Sequence, residues 1–128
     1  MKVLLDTHTF LWWVDDSPRL SNSVKEVIAN PENTIFFSVV SAWEIVIKQG
    51  IGKLALPEPA EMYIPSRLKS NRFSVLTINL SHILQIASLP SLHKDPFDRL
   101  LIAQSQIESF PILSVDQLVS QYPVSVIW

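Results

Sequence analysis

Short apolar runs punctuate the chain: VLL (3–5), IFFSVV (35–40), FSVL (73–76), PIL (111–113) and VSVIW (124–128). Each has the length and composition of a strand. Helical patterns lie between them. SNSVKEVIAN opens at a serine cap, and Ser38 is placed to cap a second helix that Gly50 and Gly52 end. Further helices are expected near 58–70 and 80–88, and DPFDRLLIAQSQIES supplies a strong final one. Strands that alternate with helices imply a mostly parallel sheet covered on both faces, a three-layer α/β/α sandwich. No repeat, linker or low-complexity stretch divides the chain, so residues 1–128 are read as a single domain. Sites in such folds lie at the carboxyl ends of the strands.

Composition removes several functions. With 48% hydrophobic residues the chain is expected to fold, and no apolar run reaches the roughly 18 to 20 residues of a membrane span. The opening MKVLLDTHTF has an acid at position 6 and no small-residue cleavage site, so a soluble cytoplasmic protein is expected. There is no cysteine, which excludes disulfides, thiolate zinc sites and thiol nucleophiles; any metal must be held by oxygen or imidazole. Two glycines, Gly50 and Gly52, provide neither a Walker loop nor a dinucleotide fingerprint. A serine nucleophile lacks its elbow motif, and His8, His82 and His93 stand in unrelated local contexts. Net charge is -2, but five of the 12 acids are candidates for one pocket, and the other seven face ten basic side chains. That excess can still attract phosphates.

The acids carry the candidate chemistry. Asp6 follows VLL at a strand end, where it reads either as the cap of a helix beginning near Thr7 or as a site residue. Asp116, in PILSVDQL, repeats the arrangement. Two strand-end aspartates of a parallel sheet can converge on one crevice, where a divalent cation would resolve their repulsion. Asp95 precedes Pro96 and suits an N-cap, with Asp98 at the third helical position on the side of Leu101, Ile102 and Ser105. Asp98 should therefore look inward. His93 and Arg99 flank this segment and offer phosphate contacts, Arg99 reading equally as a solvated charge. Glu44 stands in an almost wholly apolar helical stretch among Val40, Trp43, Ile45 and Ile47. Lys48, four residues on, is its plain helix partner, but such pairs are usually exposed, and metal binding explains burial better. Trp12, Trp13 and Trp43 are read as packing residues rather than base-stacking platforms.

The order of LLDTHTFLWW, SVVSAWEIVIKQGIGKL, LHKDPFDRLLIAQ and ILSVDQLVSQYPVSVIW resembles the PIN-domain family over essentially the whole chain, specifically VapC-type toxins of toxin–antitoxin systems. The resemblance implies a metal-dependent endoribonuclease silenced by a VapB-like antitoxin, and a homodimer. It makes Asp6, Glu44 and Asp98 the core acids with Asp116 as the fourth, Thr7 and Ser114 accompanying hydroxyls, and Asp95 and His93 parts of a subfamily motif. The expected ion is Mg²⁺ or Mn²⁺ in a metal site of Asp6, Asp98, Asp116 and Glu44: Asp6 and Asp98 hold it with Asp116 directly or through water, while Glu44 faces the ion and positions or deprotonates the attacking water. The alternative is a catalytically inactive PIN-like module used for binding or scaffolding. A phosphotransferase using Asp6 as nucleophile would need a second Asp where His8 stands. The FLWWV segment and residues 58–70 are the candidate exposed apolar surfaces for a partner, with core as the alternative reading of both.

Overall fold

The computed structural model describes residues 1–128, and its elements follow the alternation read from the sequence. They are β1 (Lys2–Leu5), α1 (Thr7–Val14), α2 (Asn22–Ala29), β2 (Thr34–Ser38), α3 (Val39–Gly50), α4 (Ala60–Asn71), β3 (Ser74–Leu76), α5 (Leu80–Gln85), α6 (Pro96–Glu108), β4 (Ile112–Leu113) and β5 (Val126–Ile127). All five strands are parallel, in the order β3-β2-β1-β4-β5. Side chains alternate across them. Val3, Leu5, Ile35, Phe37 and Leu113 pack with Phe10, Val24, Ile28, Tyr63 and Ile64 of α1, α2 and α4. Leu4 and Ile112 pack on the opposite face with Leu100 to Ala103 of α6. These two apolar layers make the sandwich, since the residues of the central strands β1 and β4 beyond Lys2 are buried whichever way they point.

Boundaries differ from the apolar runs where a hydrogen bond intervenes. The second run stops at Ser38, because the Ser38 hydroxyl accepts the Val40 N–H at 3.0 Å and turns Val39 and Val40 into the first turn of α3. The helix expected near 80–88 is α5 followed by a 3₁₀ turn over Ile86–Ser88. The fully buried Gln104 of α6 accepts from the Ser38 hydroxyl at 2.5 Å and donates to the Thr77 carbonyl at 3.2 Å, so it joins the ends of β2 and β3 to α6. His82, also fully buried, accepts the Asn79 N–H at 3.0 Å and lies 3.2 Å from the Glu108 carboxylate. Both residues are core polar anchors.

Of the two readings of FLWWV and 58–70, the structure favours core over exposed surface. FLWWV is not an exposed patch: Phe10 is fully buried, and Leu11 to Val14 pack against the core because α1 lies flat on the sheet. In 58–70, Tyr63 and Ile64 are buried and Met62 is the large apolar side chain left exposed. The exposed apolar side chains cluster instead on α5 (Leu80, Ile83, Leu84) and the outer face of α3 (Trp43, Val46, Ile47).

Replacing Gln104 by leucine leaves the buried Ser38 hydroxyl without its acceptor and the Thr77 carbonyl without that donor. The expected loss of stability is about 2 to 4 kcal/mol by urea denaturation, and a loss below about 1 kcal/mol would contradict the anchoring role.

Candidate metal centre

The chain runs from β1 outward through β2 to β3, then returns to β4 and β5 on the other side. The order therefore reverses between β1 and β4, and the loops leaving their carboxyl ends part there, which opens a crevice. Asp6 leaves β1 at this point and Ser114 to Asp116 leave β4. The Asp6 N–H donates to the Leu113 carbonyl at 3.2 Å and the Thr9 hydroxyl to the same carbonyl at 2.8 Å, fixing the two strand ends side by side.

Asp6, Glu44, Asp95, Asp98 and Asp116 line one cavity of about 300 Å³ together with His8, Trp12, Lys48 and Val115. Acids far apart in sequence are thus gathered by the fold. Asp6 caps α1 as its position suggested, its Oδ1 accepting the Thr9 N–H at 2.8 Å, and it serves the cavity as well. Asp95 caps α6, its Oδ1 accepting from Phe97 N at 2.8 Å and Asp98 N at 3.3 Å. That cap aims the first turn of α6, and with it Asp98, into the crevice. Trp43 meets Phe97 edge-on at 4.8 Å between ring centres, bracing α3 against α6 beside the acids at 44 and 98. Trp43 is half exposed, so its packing role belongs to the rim rather than the core.

Two sequence expectations are revised. Glu44 has Lys48 as its direct partner: the ammonium bonds Oε2, while the Thr7 hydroxyl donates to Oε1 at 2.6 Å and lies 2.9 Å from Ser41 Oγ. The helix pair is formed, but around a carboxylate that is only 3% exposed. Arg99 contacts neither solvent alone nor the cavity. It donates to the carbonyls of Pro90 at 2.9 Å and Ile86 at 3.3 Å, clamping the segment before α6 to the end of α5, because its helical position points away from Asp98.

His93 and Tyr122 form a unit. The Tyr122 hydroxyl accepts the His93 backbone N–H at 2.9 Å and lies 3.1 Å from Nδ1, while Nε2 lies 2.8 Å from Asp116 Oδ2. A tyrosine that donates to Nδ1 leaves the ring proton on Nε2, where it serves Asp116. Asp116 Oδ1 accepts the Leu118 N–H at 2.9 Å, and the Ser114 hydroxyl accepts the Asp116 N–H at 3.1 Å. Both Asp116 oxygens are therefore fixed in direction. Tyr122 escaped notice in the sequence because only the third dimension brings it to His93.

The unresolved repulsion is at Asp98. Ligand atoms of His93, Asp98 and Asp116 lie within 4.8 Å of one another, and neither Asp98 nor Asp116 pairs with a lysine or arginine. Two carboxylate charges so close repel by about 3 to 4 kcal/mol at an effective dielectric near 20. Burial, then the charges of Asp95 and Glu44, push the Asp98 carboxyl up to about 7, with His93 opposing and Asp116 adding. Burial also raises the Asp6 carboxyl, against the Ser114 and Thr9 side chains and the Thr9 N–H, which lower it. A set of hard carboxylate oxygens, two of them this close with no lysine or arginine paired to either and an imidazole beside them, fits a hard divalent ion.

Because the folded Asp98 value lies above the unfolded 3.8, this group stabilises the metal-free fold fully below the unfolded value, and that contribution is lost as pH rises through about 7. In chelator, Asp98→Asn is expected to be more stable than wild type by about 1 to 2 kcal/mol near pH 8, after discounting for partial solvent access, with the gap closing near pH 4. Urea denaturation at both pH values checks this, and a gap independent of pH would contradict it.

Residues 3–124 match the PIN domain family. Over 69 residues the chain is 36% identical to Ribonuclease VapC16 of Mycobacterium tuberculosis, a match spanning 51% of this chain and about half, 49%, of that relative. Among solved structures, VapBC2 from Rickettsia felis bound to a DNA fragment from its promoter superposes with a TM-score of 0.73 at 16% identity, covering 99% of this chain and 98% of that one. VapBC-1 from nontypeable Haemophilus influenzae gives 0.63 at 16% identity, covering 99% and 97%. At such identity these likenesses speak for the fold, a parallel sheet between two helical layers; with the family match over nearly the whole length, the chain belongs to the PIN-domain family.

Proposed function

We propose that this protein is a metal-dependent endoribonuclease, the toxin of a toxin–antitoxin pair acting in the cytoplasm, with its active centre at Asp6, Glu44, Asp98 and Asp116. The observation that carries the reading is the Asp98–Asp116 pair, whose ligand atoms lie within 4.8 Å of one another and of His93 with no lysine or arginine paired to either acid, in the cavity that Asp6 and Glu44 also line. The relative named as a ribonuclease supports the reaction class, and the neighbours described as VapBC assemblies support the partner.

Asp98 and Asp116, with Asp6 beside them, would hold Mg²⁺ or Mn²⁺. When bound, such an ion neutralises charge at the scissile phosphate and acidifies a water. The remaining work falls to the chain. Thr9 N–H fixes one oxygen of Asp6, Leu118 N–H and His93 fix Asp116, and the Asp95 cap orients Asp98, so the donors need little rearrangement to act. Glu44, held by Thr7 and Lys48, orients the attacking water and accepts its proton. Ser114 steadies the Asp116 loop, and Arg99 holds the approach to α6 without touching substrate. Attack by water leaves a 5′-phosphate and a 3′-hydroxyl.

The VapB-like antitoxin would close the acidic cavity with an arginine or lysine among the carboxylates. The exposed Leu80, Ile83 and Leu84 of α5 offer the apolar face for a homodimer. Leu80→Asp together with Leu84→Asp is expected to give a monomer by light scattering with unchanged far-UV circular dichroism, and a wild-type monomer at high micromolar concentration would contradict the dimer.

Antitoxin-free protein incubated with structured RNA is expected to cleave with Mg²⁺ or Mn²⁺ and not with chelator. Asp98→Asn and Asp6→Ala should each lose about 100-fold or more. Because Asp98→Asn is expected to fold more stably than wild type at neutral pH and above, its loss reports chemistry rather than unfolding. A 2′,3′-cyclic product would contradict attack by water, and RNA binding without metal-dependent cleavage would favour a scaffolding module.

A further inference from the structure

The acidic cavity has two unlike ends. At one, Asp98 and Asp116 approach each other with no lysine or arginine between them. At the other, Glu44 has both oxygens engaged, Oε1 by the Thr7 hydroxyl and Oε2 by the Lys48 ammonium. An ordinary i,i+4 pair lies on the solvent face of its helix, but here the acid is 3% exposed and the lysine lines the cavity. Lys48 also lines the adjoining cavity of about 390 Å³ with His8, Trp12, Asp15, Lys53 and Leu54, so its ammonium stands at the join of the two.

The charges that reach Lys48 come from more than its helix partner. Glu44 comes first, then Asp95 and Asp98, and together they raise the ammonium's pKa against the opposing effect of burial. Lys48 also lines the cavity that all five acids line, so its charge is not confined to Glu44. A lysine suits the task better than an arginine, being a compact point charge on a flexible stem rather than a planar fork.

We propose that Lys48 is the cavity's built-in second cation, standing where another divalent ion would otherwise be needed, so that the centre takes one metal ion, at the Asp98–Asp116 end. This rests on the metal-centred reading above. The physical ground is that a buried carboxylate stripped of its cation either takes up a proton or acquires another cation. Glu44 shares its cavity with four further acids, so the loss of Lys48 leaves an uncompensated carboxylate among them that would draw a second divalent ion. The ammonium does this work without depending on the metal concentration, because it is bonded to Glu44 within the fold itself.

Counting bound Mn²⁺ on the purified full chain near pH 8, from the paramagnetic resonance signal of the free ion, tests this directly. Wild type is expected to bind a single Mn²⁺. Lys48→Met should bind a second, Lys48→Arg should remain at one, and Lys48→Met combined with Glu44→Gln should return to one because the stranded charge is gone. A wild type that takes two ions overturns the proposal by itself, even if Lys48→Met does not fold, and so does a folded Lys48→Met that stops at one. No Mn²⁺ on any variant would overturn the metal-centred reading together with this inference, which separates the two failures.

Discussion

Like charges repel, and this fold holds five carboxylates around one crevice. The rest of the structure can be understood as the means by which that convergence is made tolerable. The parallel sheet supplies the crevice, because its strand order reverses between β1 and β4 and puts Asp6 and Asp116 on either side of the gap. Four of the five acids receive a compensating partner. Asp6 and Asp95 accept helix N-terminal N–H groups, Glu44 receives a hydroxyl and an ammonium, and Asp116 receives an imidazole and a backbone N–H. Asp98 receives no cation of its own, and its carboxyl stands near 7. The charge left unbalanced is local, and it is oxygen-lined.

Holding such a site requires that its supports not relax. Both faces of the sheet are covered, so the strand ends cannot move apart without exposing Leu4, Leu5, Ile112 or Leu113, which are buried. Gln104 ties β2 and the segment after β3 to α6, and Arg99 ties the lead-in of α6 to the end of α5. The Trp43–Phe97 contact does the same for α3 and α6 at the rim. These interactions lie next to acids without being acids. They convert a flexible cluster of carboxylates into a preorganised one, which is the condition for electrostatic catalysis.

Much of this was legible in the sequence. Five short apolar runs separated by helical patterns gave all five strands and the layer order, because a two-sided parallel sheet writes itself as continuous apolar runs. Asp6 and Asp116 were visible as acids directly beyond such runs, and Asp98 as an acid on the inward side of a patterned helix. What stayed hidden depends on distance in three dimensions. Lys48 looked like an ordinary surface partner because spacing along a helix does not tell which side of α3 faces a cavity. Arg99 looked free because the carbonyls that hold it, Ile86 and Pro90, belong to a turn whose course no local pattern fixes. Tyr122 and Gln104 carried no signal at all, since a tyrosine buttress and a core glutamine are recognisable only once their partners are placed. The exposed apolar faces fell on α5 and α3 instead of FLWWV for the same reason: apolar content is visible in a sequence, but not which helix has a neighbour.

The central claim is that the gathered carboxylates form one divalent-ion centre with its locus at Asp98 and Asp116. Crystals of the antitoxin-free protein equilibrated with Mn²⁺, measured at the manganese absorption edge, test it most directly. The account predicts an anomalous peak coordinated by carboxylate oxygens of Asp98 and Asp116 and absent from Asp98→Asn. A peak elsewhere on the molecule, or an unchanged peak in the variant, would contradict it.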